Sequence, residues 1–327
     1  MKKIFLSLFA SLIFTSAFCQ NMTSKQAKEL KGRILLIALD EVSPEAIGDI
    51  KEGIDMKAYE ELVSANNTVL KYAFEKYWTF SKELQFVSQA EMTKKLKDEP
   101  QKYAAIILAR YIDYSRWGGS QMIGYNQEHV GNVTYNVPHY AFSPVEYVAE
   151  NEIMELRIMM PKRVFSIGLP RIVITEADAI YGVKQLQYYM QELDKEEKAD
   201  AWKIIKTCRG EVLKGKTLLM SKEDMDPKLT DEEIKKVYTY PYKIVSQDEI
   251  DKALIEGTDC AIAVIVSAEA GKGNVSLQYL VNAGSGELYG IIYPKLPVGI
   301  KGVKAWTYNQ RIKKKQLKDF QEKADCK

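Results

Sequence analysis

The residues best suited to chemistry are the two histidines of the chain, His129 and His139, together with the neighbouring Glu128. Histidine and glutamate can act as general base and acid, or they can bind a metal ion. The spacing of these residues matches no compact metal-binding motif, and no third ligand or nucleophile can be assigned beside them. We therefore predict that the chain has no catalytic residue, no metal site and no cofactor.

Other signatures of catalysis or of nucleic-acid binding are missing. The sequence has no G-x-S-x-G elbow, no H-E-x-x-H and no cysteine beside a histidine. Gly271-Lys272-Gly273 lacks the full phosphate-loop pattern, so we interpret it as a turn. The 46 Lys and Arg residues nearly balance the 44 Asp and Glu residues, which does not indicate a basic surface for nucleic acid. We expect a protein that is not an enzyme.

Aromatic residues are concentrated between Tyr114 and Ala149. Tyrosine and tryptophan give a large contact area at low entropic cost, which is typical of surfaces that bind proteins or glycans. Alternation of apolar and polar residues from Val133 to Val137 predicts an extra hairpin with its turn near Asn126 to Gly131. The alternative is that the rings cover an edge or a face of a sheet. The candidate binding residues are Tyr114, Trp117, Tyr125, His129, Tyr135, His139 and Tyr140.

The amino terminus has the layout of a secretion signal. Met1-Lys2-Lys3 is basic, and an apolar stretch too short to span a membrane runs from Ile4 to Phe18. Cleavage is expected before Gln20 or, alternatively, after Ala17. The bulky Phe18 disfavours lipidation of Cys19. We expect an exported protein, periplasmic or associated with an outer membrane, with no transmembrane segment in its mature chain.

Three cysteines follow the predicted signal. Cys260 lies inside an apolar segment and is expected to behave as a small buried hydrophobe. Cys208 and Cys326 flank the last third of the chain, and an oxidising compartment would allow them to pair. In the chain-entropy model, a bridge over such a long loop contributes on the order of 4 kcal/mol. The alternative is two free thiols, because connectivity cannot be read from sequence.

One phrase occurs twice in the chain. Leu30 to Glu41 reads LKGRILLIALDE, and Leu213 to Asp224 reads LKGKTLLMSKED. Two further matches follow in the same order: FVSQAE matches IVSQDE, and AAIILA matches CAIAVI. Three ordered matches predict two copies of one module.

Hydrophobic periodicity assigns the module the order β-α-β-α-β-hairpin-β-α. The predicted fold class is α/β, with a mixed sheet covered by helices mainly on one side. We place the signal at 1–19, the first module at 20–193, a charged helical connector at 194–212 and the second module at 213–327. The aromatic segment 114–149 is an insertion in the first module, because the second copy crosses the same gap with only Glu269 to Gly273.

Two segments resemble a known type of module. FVSQAEM and SLQYLVNAGSGELYG are similar to parts of the periplasmic α/β module of the curli-secretion lipoprotein family and of the TolB amino-terminal domain. That module carries a "Thr-Gly-Glu" hairpin turn, which here reads Ser285-Gly286-Glu287 and is missing from the first copy. The resemblance implies an envelope-assembly or binding role without catalysis, by analogy of fold.

The leading hypothesis from sequence is an exported, non-catalytic cell-envelope protein that binds another envelope protein through the aromatic insertion. The alternative is a secreted hydrolase or carbohydrate-binding protein that uses the insertion as a substrate wall, with Glu128 or His129 as acid or base. Most glycoside hydrolases need paired carboxylates, and no second carboxylate can be assigned to this site from sequence.

Overall fold

The structure is a computed structural model that describes residues 22–42, 56–112, 125–130, 133–138, 152–171, 173–270, 273–293 and 311–327. It contains two five-stranded mixed sheets with helices, and a separate two-stranded ribbon. This confirms the predicted α/β fold built from two similar modules. The predicted signal peptide lies outside the described residues.

The first module contains four helices and seven strands within the described residues. Its helices are α1 (Ser24–Gly32), α2 (Met56–Tyr77), α3 (Gln89–Asp98) and α4 (Glu176–Lys195). Its strands are β1 (Ile34–Leu39), β2 (Glu83–Ser88), β3 (Tyr103–Ile112), β4 (Tyr125–Val130), β5 (Val133–Pro138), β6 (Glu152–Met160) and β7 (Lys162–Leu169).

A short helix, α5 (Ala201–Lys206), leads to the second module. The described helices there are α6 (Gly210–Lys214), α7 (Asp231–Lys235), α8 (Gln247–Glu256) and α9 (Lys314–Asp325). The strands are β8 (Leu218–Ser221), β9 (Tyr242–Val245), β10 (Ala261–Ala270), β11 (Gly273–Asn282) and β12 (Leu288–Ile292).

The two large sheets have the same topology. In the first, β1 lies between β2 and β3 and is parallel to both, and antiparallel β6 and β7 complete the order β2-β1-β3-β6-β7. In the second, β9, β8, β10, β11 and β12 take the same places with the same directions. The repeated phrase forms the central parallel strand in both copies.

The repeated serine caps the same helix in both copies, as its spacing from a glutamate predicts. The Ser88 hydroxyl accepts a hydrogen bond from the Glu91 amide at the start of α3. At α8, Ser246 and Glu249 form the full reciprocal capping box.

Two details of the predicted order are wrong. The described residues between β7 and α4 form no strand, because Pro170, which lacks an N–H group, comes directly after β7, and Thr175 already caps α4. The predicted helical continuation through Asp194 to Asp200 is also absent, since α4 ends at Lys195 and Glu196 is extended. Asp200 instead caps α5.

The two modules share one hydrophobic core with α4 at its centre. Buried residues occur on every side of α4, and the Tyr189 ring lies 4.9 Å from that of Phe165 on β7. The same core contains Val264 and Leu277 of the second sheet. The last helix of the first copy is therefore an internal element of the whole molecule.

Helices cover both faces of each large sheet, so the expectation of a mainly one-sided cover is wrong. Leu35 faces the shared core with α4, whereas the next residue, Leu36, packs with Leu96 of α3 on the opposite face. In the second sheet, Ile262 faces the shared core, and Ala261 packs with Phe320 of α9.

Each copy joins its beginning to its end, but by different bonds. In the first copy the Ser24 amide donates to the Ala199 carbonyl at 2.9 Å. In the second copy Cys208 and Cys326 form a disulfide with a Cα–Cα distance of 5.7 Å, and Cys260 is a buried free thiol. A side chain at Gly210 would lie 2.4 Å from a carbonyl oxygen of α9, so glycine permits this close approach.

Candidate functional site

The aromatic insertion leaves the first sheet and returns to it at one place. β3 and β6 are antiparallel neighbours, and their last pair is Ile112 opposite Glu152. In the second copy the equivalent strands pair as far as Ala270 opposite Gly273, with two residues between. The first copy thus holds 113–151 where the second holds two residues. β3 and β6 are paired up to the residues that flank the insertion.

Within the insertion, β4 and β5 form the expected extra hairpin as a ribbon separate from both five-stranded sheets. The ends of the hairpin meet at Val130 opposite Val133, so its turn is two residues long and lies at the end of the predicted turn region. Tyr125 and His129 lie on β4, and Tyr135 lies on β5. Tyr114, Trp117, His139 and Tyr140 lie outside the described residues.

The register of the hairpin separates the two residues that the hydrolase alternative would use. Glu128 is opposite Tyr135, and His129 is opposite Thr134. Consecutive residues of a strand belong to opposite faces, so Glu128 and His129 fall on different faces of the ribbon.

An arginine clamps the two modules together at the start of α4. Arg171 Nε donates to Asp178 Oδ2 at 2.8 Å, and its Nη1 and Nη2 donate to Asp251 of α8 at 2.8 and 2.9 Å. Asp178 is only 1% exposed, so it is buried with its charge partner. Bidentate pairs of this kind are directional and fix the relative position of two helices.

The second contact between modules is the turn that carries Ser285-Gly286-Glu287. Lys184 of α4 donates to the carbonyl oxygens of Ala283 in this turn and of Leu254 near the end of α8, at 2.9 and 3.2 Å. Burial is the main cause that lowers the Lys184 pKa to about 8. Gly286 has φ +75°, and a Cβ there would lie 2.8 Å from the Lys184 backbone. The turn is therefore a docking contact on α4.

Both copies place a carboxylate within two residues of the end of the central parallel strand, Asp40 after β1 and Glu223 after β8. In the first copy Gln89 Nε2 donates to Asp40 Oδ1 at 3.2 Å. In the second copy the backbone amide of Gln247 donates to Glu223 Oε2 at the same distance. Ligand sites of α/β sheets often lie at this carboxyl edge. Sequence analysis missed both acids, although the repeated phrase ends in them.

The environments of these acids differ. Burial raises the pKa of Asp40 to about 6. The Ser221 hydroxyl, which donates to Glu223 at 2.7 Å, lowers the Glu223 pKa. Asp224 is half-buried, and burial followed by the Glu223 charge raises its pKa to about 6. Elevated carboxyl pKa values suit proton transfer, but the hydrogen bond that the Asp40 carboxylate accepts comes from the side-chain amide of Gln89, and Asn67 bonds only the Asp40 backbone. In the part of the chain that is described, no group of His, Cys, Asp and Glu could hold a metal ion.

An open groove lined by tyrosines lies in the second module, and sequence analysis missed it. It has a volume of about 840 Å³ and runs between α7 and the edge strand β9. Tyr238 is fully buried at its base, and the rings of Tyr240 and Tyr242 stand edge-on to it, with centroids 6.0 and 6.3 Å away. The sequence feature that could have indicated this groove is the alternation of Tyr238, Tyr240 and Tyr242.

The hydroxyl groups of these tyrosines differ in their hydrogen-bond partners. Tyr240 donates to Asp325 at 2.6 Å, and Tyr242 donates to Asp231 at 2.5 Å. Hydrogen bonds from Lys235 and Tyr242 lower the Asp231 pKa. The buried Tyr238 hydroxyl has no hydrogen-bond partner among the described residues. Such a group is costly to leave unbonded.

The groove exists because the two copies differ in one helix. After β1 the first copy has α2, of 22 residues, whereas after β8 the second copy has α7, of 5 residues. The aromatic residues that follow α2, Trp78 and Phe80, are buried in the shared core. The tyrosines that follow the shorter α7 line an open surface instead.

Among the residues that the structure describes, no helix is both long and apolar enough to cross a membrane. Comparisons of the chain with family models, with curated proteins and with solved structures found no match in any of the three. The resemblance to the curli-secretion and TolB modules stays a prediction.

Proposed function

We propose that the chain is an exported, non-catalytic protein of the cell envelope that binds another envelope protein through the insertion between β3 and β6. The observation that carries this proposal is the position of the insertion. The sheet is complete without it, since β3 and β6 pair to Ile112 and Glu152, and the second copy closes the same gap with two residues. A segment that the scaffold does not need is where a specific function is expected.

The composition of the insertion supports a protein partner. Tyrosine and tryptophan predominate at the energetically important positions of protein interfaces. Tyr125 lies on β4 and Tyr135 on β5, so two of the candidate binding residues belong to one hairpin of the insertion. The basic and acidic residues of the chain are nearly balanced, and this favours recognition by contact area over recognition by net charge.

The repeat itself supplies the experiment. Residues 113–151 are replaced by Gly-Lys, the dipeptide that joins β10 to β11 in the second copy. We expect this variant to fold with an unchanged unfolding midpoint, and we expect it to lose the protein that co-purifies with the full chain from native envelopes. Tyr72→Ala, which removes an exposed ring on α2, is the matched control and should retain the partner.

Point variants separate binding from catalysis. We expect Trp117→Ala and Tyr125→Ala to weaken partner binding, and the double variant Glu128→Gln with His129→Asn to leave it intact. A folded Gly-Lys variant that still captures the partner would contradict the proposal.

A further inference from the structure

We infer that the tyrosine groove of the second module binds an extended polypeptide segment, which adds as a strand to β9 and carries an acidic side chain. This site is separate from the insertion and does not depend on the proposed function. Three properties of the groove carry the inference: its unpaired backbone, its apolar lining and its charge.

Within the described residues, the backbone of β9 is unpaired on one side. There β9 is the last strand of its sheet and pairs only with β8. The carbonyls of Pro241 and Val245 accept from the amides of Leu218, the first residue of β8, and Lys222, the residue after it, at 2.9 and 2.8 Å. Alternate residues of a strand direct their N–H and C=O groups to the same side, so those of Tyr242 and Ile244 point away from β8. Edge groups of this kind are the template for strand addition.

The side chains beside this edge fit an apolar chain. Ile244 is 40% exposed and lines the groove. Tyr242, on β9, lines it together with Tyr238 and Tyr240, which precede the strand. Alternate side chains of an added strand would lie against these rings. Tyr238 forms the buried base of the groove.

The charged residues around the groove favour a bound segment with an acidic side chain. Lys235 and Lys243 line the groove, and the Lys214 ammonium lies 5.8 Å from the centre of the Tyr240 ring. Among the described lining residues, Asp231 is the one acid, and it is already bonded to Lys235 and Tyr242. Lys243 has no ion-pair partner in the described part of the chain. An Asp or Glu of the bound segment would complement it.

The test is selection of a phage-displayed random peptide library on the full mature chain, followed by fluorescence anisotropy of the enriched peptides. We expect enriched peptides to alternate apolar residues and to contain an acid. Ile244→Pro removes one outward N–H without affecting the ladder to β8, and should weaken binding by about tenfold. Ile244→Val retains that N–H and should bind within about twofold of the unaltered chain.

Two further arms keep the test decisive. Lys243→Glu should transfer preference from Asp-containing peptides to the same peptides with Lys. N-methylation of alternate peptide residues should abolish binding to the unaltered chain, even if the proline variant fails to fold.

The inference is overturned if no peptide is enriched above a blank selection, or if enriched peptides bind Ile244→Pro as tightly as the unaltered chain. Binding of an oligosaccharide that requires Tyr240, with no peptide enrichment, would also overturn it. Replacing residues 113–151 by Gly-Lys should leave peptide binding unchanged, which separates this site from the insertion.

Discussion

At the scale of single residues, the contacts between modules depend on a few positions with no freedom to vary. Gly286 combines a positive φ with a close approach to the backbone of Lys184, and both properties require the absence of a side chain. The residues that sequence analysis noted in this turn therefore have a packing role in this molecule. A turn pattern that resembles a family motif can be explained by docking alone.

Gly286→Ala is expected to destabilise the protein by about 2 kcal/mol or more, because strain at φ +75° adds to a clash 2.8 Å from the Lys184 backbone. Gly32→Ala is the control. It lies at the end of α1, where nothing approaches within 4 Å, and should be neutral or slightly stabilising. Chemical denaturation measures both free energies of unfolding, and equal values for the two variants would refute this explanation.

Asp40 should make stability depend on pH. Burial raises its pKa in the folded protein from 3.8 to about 6, so between these values the folded state binds more protons than the unfolded state. The free energy of unfolding then falls as pH rises from about 4 to about 6, and no further change follows above that. Asp40→Asn removes this effect and should be more stable than the unaltered chain by about 1 to 2 kcal/mol at pH 7, with no difference near pH 4.

Asp259→Asn provides a control of opposite sign. Lys216 and Asn282 lower the Asp259 pKa, so its contribution to stability is present above pH 4 and is lost below. Unfolding free energies of all three chains between about pH 2 and about pH 7.5 test both signs. A difference between Asp40→Asn and the unaltered chain that does not change with pH would contradict the assignment.

At the scale of elements, the two copies join their beginning to their end with different kinds of bond. The beginning and end of the first copy meet through backbone hydrogen bonds of Ser24 and Ala201, whereas those of the second meet through the disulfide. The second copy has a five-residue α7 in place of the 22-residue α2. The disulfide joins the two ends of the second copy covalently and constrains its unfolded chain.

Replacement of both Cys208 and Cys326 by serine should lower the free energy of unfolding by about 2 to 4 kcal/mol under oxidising conditions. Dithiothreitol should bring the unaltered chain to the level of the variant. Cys260→Ala leaves the bridge intact and shows the effect of losing a buried thiol alone. The role assigned to the bridge is wrong if the oxidised chain and the double variant unfold at the same denaturant concentration.

Elements with local signals were predictable from sequence. The hairpin β11–β12, the caps at Ser88 and Ser246 and the strand that opens each copy depend on neighbours in the chain, and the structure has all of them. The prediction of a strand after β7 was wrong, because Pro170 has no N–H group to continue the hydrogen-bond ladder. The groove could not be predicted, because it depends on the length of α7 relative to a core that only the folded chain defines.

At the scale of the whole molecule, the two copies stack so that unlike faces of their sheets meet. The face of the first sheet that carries its closing helix α4 meets the face of the second sheet that carries α8, the equivalent of α3. Such stacking of repeats leaves one unmatched face at each end, here covered by α3 and α9. Because α4 belongs to both modules, we expect them to unfold together.

Arg171→Ala leaves Asp178 and Asp251 without their shared partner and should cost a few kcal/mol. Hydrogen exchange should then show equal loss of protection in β1 and β8, one from each module. Lys31→Ala removes an exposed ion pair with Asp194 and should change protection by less than about 1 kcal/mol. Loss confined to one sheet would show that the modules are independent.

The measurement that tests the central claim most directly is photo-crosslinking in native envelopes from a probe at position 117, within the insertion. The same probe at Tyr72 on α2 serves as the reference. We predict one discrete protein adduct from position 117, absent from position 72 and lost when 113–151 is replaced by Gly-Lys. No adduct from position 117, or the same adduct from both positions, would contradict the proposal that the insertion is the binding element.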